Sequence, residues 1–167
     1  GNTATSLDGS VTLDGLDWSS YDGITFGAAT LSTAAVSLDS NAGNIALTTL
    51  AGGSQNLTIA AGTGAGTTTV SGAVSALGSG TGAALDVNTA ATGLVDFQGT
   101  FAGNSGLSAG AGTSLKFGDN VTLGDGNTAT TLSGNVTLDG LDWSSYDGIT
   151  FGAATLSSAA VSLDSKA

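Results

Sequence analysis

The sequence predicts an all-β chain wound as a parallel β-solenoid. Large apolar residues alternate with Thr, Ser, Ala, Asp or Asn along most of its 167 residues. Gly, Asn, Ser and Asp interrupt that alternation every few residues, as tight turns require. Gly1 to Ala42 also returns as Gly126 to Ala167, with five differences: Ser6/Thr131, Asp8/Ser133, Ser10/Asn135, Thr33/Ser158 and Asn41/Lys166. A unit that repeats this closely can be continued lengthwise, rung upon rung.

The strand segments follow in order. They are SVTL (10–13), GITF (23–26), AVSL (35–38), NIALTTL (44–50), NLTIA (56–60), TTTVSG (67–72), AVSAL (73–77), ALDVN (84–88), LVDFQ (94–98), SLKFG (114–118) and NVTL (120–123 and again 135–138). Each has a period of two, so one face is buried and the other wetted. Helix signals are nearly absent, because Glu, Met, Arg and Pro are missing and Gly falls in almost every window. The inward residues are small or medium apolar ones that stack in layers of like side chains, and there is no Pro to block a ladder. Residues 1–125 read as one full unit of a tandem array. Residues 126–167 read as the start of the next, packed as a continuation of the same solenoid. A 125-residue period then holds roughly five to seven coils of ~18–25 residues each, the size of short solenoid repeats. The alternative is an antiparallel β-sandwich of about 100 residues per unit.

Composition removes whole classes of function. There is no Cys or His, hence no disulfide, thiolate zinc site, cysteine nucleophile or imidazole base. The cations are Lys116 and Lys166 against 13 Asp, a net charge of −11. Such a surface does not neutralise phosphates, so nucleic acid is not an expected partner, and it repels anionic membranes. No apolar run approaches the ~18 residues of a membrane-spanning helix, so no membrane insertion is expected.

The strings GNTATTLSGNVTLDG, SQNLTIAAGTGAGTTTVSGAVSALG and SLKFGDNVTLGDG resemble the Gly/Thr/Asn-rich repeats of giant bacterial surface proteins. Those include filamentous-haemagglutinin-like adhesins and autotransporter passenger regions. The resemblance implies a right-handed parallel β-helix, secretion to the bacterial cell surface, and a role as adhesive stalk or display scaffold. Neighbouring repeats of the same chain are the expected partners, because stacked coils bury one another; end-to-end self-association through open end coils and a glycan or host-cell surface are further expectations.

The insert LDGLDWSSYDG departs from that generic style and occurs twice. Its carboxylates Asp14, Asp17 and Asp22, copied as Asp139, Asp142 and Asp147, suggest a calcium loop, since a hard cation takes clustered oxygens. Its aromatics Trp18 and Tyr21, copied as Trp143 and Tyr146, suggest a glycan-binding face. The plain alternative is that the aromatics cover the coil and the Asp residues close turns. The pairs Asp14/Asp17 and Asp86/Asp96 lack any His, Arg or Glu to separate their acidities, so no catalytic site is expected. The runs Gly62–Gly66 and Gly78–Gly82 have no Lys and open no helix, so they read as turns rather than phosphate loops. Apart from possible calcium, no cofactor is expected. The whole reads as a non-catalytic structural or adhesive segment of a very large secreted protein, or alternatively as a carbohydrate- or calcium-binding module.

Overall fold

A computed structural model describes residues 3–60, 66–88 and 93–166. Among the described residues there is no helix, and nineteen short strands wind into a three-sided parallel β-solenoid. The first side stacks Thr5–Leu7, residues 24–26, residues 45–47, Thr68–Val70, Leu94–Phe97, Ser114–Phe117, residues 135–138 and residues 153–156. The second side stacks Val11–Asp14, residues 29–32, residues 50–51, Val74–Leu77, Phe101–Gly103, Val121–Leu123, Asp142–Ser145 and Ser162–Ser165. The third side stacks Asp17–Ser19, Val36–Asp39, Leu57–Ala60, Leu85–Val87, Leu107–Ala109, residues 131–132 and residues 150–151. Each of these pairings is parallel, so the antiparallel sandwich alternative fails.

Alternation explains why each strand lies as it does. On the first side Phe26, Leu47, Val70, Phe97, Phe117 and Leu138 fall in one register column and point inward, all buried. On the third side Asp17, Ser37, Thr58, Asp86, Ser108, Thr131 and Thr150 share a column that points out. The inward residues form one apolar core from Leu13 to Trp143. Burying each such side chain contributes about 1.5–3 kcal/mol, and backbone ladders along the axis leave few amides unpaired. Lys116 sits between buried Leu115 and Phe117, as the alternation predicts.

Every strand segment read from the sequence overlaps a strand of the solenoid, several running one or two residues past its ends, but two features differ from the reading. GITF is only the start of Gly23–Ser32, which turns an edge and covers two sides. The insert is no excursion from the coil: Asp17–Ser19 and Asp142–Ser145 are ordinary solenoid strands. The first glycine run lies largely in residues 61–65, outside the described residues. The edge beside it shows what glycine is for. A Cβ on Gly66 would meet the Gly43 carbonyl oxygen at 2.2 Å, and one on Gly93 would meet the Gly66 carbonyl oxygen at 1.6 Å. The coils touch backbone to backbone there, which only glycine permits.

Candidate functional site

The insert begins where the chain leaves one side for the next. Gly15 and Gly140 take φ of 61° and 64° at that edge, a region open to glycine without cost. One coil further on, Thr33 and Ser158 also have positive φ, at 58° and 64°. Thr33 Oγ1 donates to Asp14 Oδ1, and Ser158 hydrogen-bonds to Asp139 in the same way. The Thr33/Ser158 difference between the copies therefore keeps the hydroxyl that the aspartate uses. That bond, and then the Lys116 ammonium 3.3 Å from Asp139 Oδ2, hold the Asp139 carboxyl below its usual acidity range.

The six insert aspartates do not converge. Asp14 closes the second-to-third edge, Asp17 points out from the third side, and Asp22 Oδ2 accepts from the Thr3 amide at 3.1 Å on the third-to-first edge. In the second copy Asp139 is paired with Lys116, and Asp142 is exposed on the second side. Asp147 follows on the next edge, where its carbonyl accepts from Ser145 Oγ at 2.9 Å and Ser165 Oγ at 3.4 Å. Among the described residues no group of three or more acidic side chains is placed to hold a metal ion. The reason is the winding itself: eight residues of coil carry Asp14 to Asp22 around two edges of the prism.

The four aromatics split into two kinds. Trp143 is 1 % exposed and packs between Phe117 (5.0 Å between centroids) and Phe151 (5.5 Å), both edge to face. Trp18 makes the same edge contact with Phe26, at 5.2 Å and 88°. Trp143 is a core residue, so the expectation that it forms part of a glycan-binding face is corrected: its inward strand position buries the ring, whereas Trp18, inward on the first coil, is half-buried. Tyr21 and Tyr146 are 75 % and 49 % exposed on the edges. Lys166 lies over the Tyr146 ring, 5.7 Å from its centroid.

Asparagine carries a role the sequence reading missed. Asn44 Oδ1 accepts from the Thr67 amide at 2.9 Å, Asn56 Oδ1 from the Ser79 amide at 2.8 Å, and Asn120 Oδ1 from the Asp142 amide at 2.9 Å. Each bond ties an edge to the coil above it. The signal was present: Asn precedes the first inward apolar residue in Asn44-Ile45, Asn56-Leu57 and Asn120-Val121. The Asn-X-Thr strings at 56 and 120 follow from that placement.

A hollow of about 400 Å³ lies on the third side, lined by Asp86, Asn88, Ser108, Gly110, Thr131 and Ser133. Asp86 is the one titratable group in its lining, and Asp96 lies on the first side, so the two form no carboxylate pair. Several polar side chains tie an edge to the next coil, and the fold is of one class: a β-solenoid of stacked parallel coils. No protein-family model matches the chain, and neither a curated protein nor a solved structure matches it.

Proposed function

We propose that the chain is a non-catalytic structural segment, a stalk or scaffold within a very large secreted bacterial surface protein. The observation that supports this best is the second copy. Residues 130–165 add coils to the same cylinder, in parallel register with the coils before them and over one shared core. Copying the sequence therefore lengthens the shaft, and its work is mechanical. The net charge of −11 keeps shafts apart and soluble.

The partners of this shaft are further coils. Leu156 and Leu163 are 63 % and 52 % exposed on the last coil. Their counterparts Leu31 and Leu38 are 1 % and 0 % exposed, because the coil containing Asn44–Ala51 and Leu57–Ala60 lies on them. A coil with that inward pattern is what the end face fits, and a second molecule stacked end to end supplies apolar coil of the same width.

Solution scattering tests the scaffold reading. Adding one further 125-residue unit lengthens the particle by roughly 27 Å, at ~4.8 Å per coil, with no change in cross-section. A second lobe beside or beyond the first, with a wider cross-section, would overturn it. An adhesive role for the edges rests on Tyr21 and Tyr146, the exposed insert aromatics, of which Tyr146 has Lys166 over its ring.

A further inference from the structure

The two copies keep their internal stacking but not their place on the prism. Thr5 pairs with Ile24 and Thr130 with Ile149. Val11 pairs with Ala29 and Val136 with Ala154. Asp17 pairs with Ser37 and Asp142 with Ser162. Yet Thr5 stands on the first side and Thr130 on the third; Trp18 is on the third side and Trp143 on the second. Following the chain from Thr5 to Thr130, seventeen sides are passed, which is five coils and two sides of a sixth. Seventeen is not a multiple of three.

We infer that the 125-residue unit is a one-third-turn screw element, which carries the same edge insert to a different edge of the shaft at each copy. Tyr21 stands on the third-to-first edge and Tyr146 on the second-to-third edge. A third unit would take the insert to the remaining edge, and three units would restore the starting direction after seventeen coils. The sides can be exchanged because their inward requirement is the same: a buried, mostly apolar residue at alternate positions. The tryptophan–phenylalanine edge contact survives the change of side, at 5.2 Å in one copy and 5.5 Å in the other.

The screw fixes what kind of partner the inserts fit. Successive inserts lie roughly 27 Å apart along the axis and a third of a turn around it. A partner that contacts one edge at a time meets identical chemistry on every flank of the shaft. A flat partner lying along one flank meets an insert only every third unit. This goes beyond the scaffold reading, and the two can fail separately: a shaft can be continuous whatever the phase of its repeats.

Cysteine pairs test the phase, since the chain has no native Cys. Thr122 and Ser144 are outward neighbours on the second side, about one interstrand spacing apart. If a unit held fifteen sides, so that the copies were in phase, Asp142–Ser145 would instead lie on the third side, with Asp142 over Ser108. We expect Thr122→Cys/Ser144→Cys to be joined by a short thiol–thiol cross-linker at least ten-fold faster than Ser108→Cys/Asp142→Cys. Both variants are checked for unchanged circular dichroism, and intramolecular linkage is read as a mobility shift under denaturing conditions. Faster linkage of the Ser108/Asp142 pair would overturn the screw.

Discussion

Trp18 and Trp143 have the same sequence neighbours and unequal burial, and the difference measures what an adjacent coil contributes. Both meet, edge to face, a phenylalanine on the next strand along the chain. Trp143 also rests on Phe117 below, whereas Trp18 lies in the first coil and remains half-buried. Removing a buried Trp costs about 3–5 kcal/mol, through lost transfer free energy and the cavity left behind. Trp143→Ala should therefore lower stability by about that amount and Trp18→Ala by clearly less, as read from paired urea unfolding curves. Equal losses would mean that the neighbouring coil does not set the environment. The Trp143 Nε1 and Thr68 Oγ1 are buried without a hydrogen-bond partner, a cost of roughly 1–3 kcal/mol each that the surrounding apolar contacts offset. Neither could be read from sequence, because an inward tryptophan and a surface-stacking one look alike until the register is known.

Strands were the legible elements and edges were not. A two-residue beat is a local property, so NIALTTL, NLTIA and SLKFG could be placed directly. Edges depend on what lies one coil below, some twenty residues away, and no short window contains that. This is why the insert looked like a loop and its aspartates like a cation site. The glycines at the edges follow the same rule. A Cβ on Gly27 would sit 2.3 Å from the Asp8 carbonyl oxygen, and one on Gly152 would sit 2.2 Å from that of Ser133. The obstacle is backbone in both copies, so it cannot swing aside. Gly27→Ala should cost about 1–3 kcal/mol in thermal or chemical unfolding, as overpacking does, although alanine suits a strand better than glycine. A neutral or stabilising result would show that the coils are not in contact at that edge.

The described coils form a stack in which each buries its neighbour, so the first and last described coils, each packed on one side only, are the least stabilised. Parallel coils give the two ends different surfaces. A contact of the proposed kind, between the last described coil of one chain and the first of another, would be head to tail and would not close. Leu156 and Leu163 on the last described coil, and Leu7 and Leu16 on the first, are large apolar groups left open there. Sedimentation should show concentration-dependent association, and Leu156→Asp with Leu163→Asp should abolish it without unfolding the chain. A strict monomer at high concentration, with these leucines intact, would refute the contact.

The sequence by itself determined that the chain is β, that its strands are half-buried, that it carries no thiol or imidazole chemistry, and that its first 42 residues return after 125. Composition, alternation and repetition are properties of short windows or of direct comparison, so they need no coordinates. Only the tertiary structure decided that the strands pair in parallel, that the tryptophans point inward, that the aspartates disperse around the edges, and that the second copy comes back one side displaced. Successive coils here take between 18 and 28 residues, and the side on which a strand falls is the running total of all the coils before it. That total is set by how tightly each edge turns against the coil beneath, which is a contact between residues far apart in the chain.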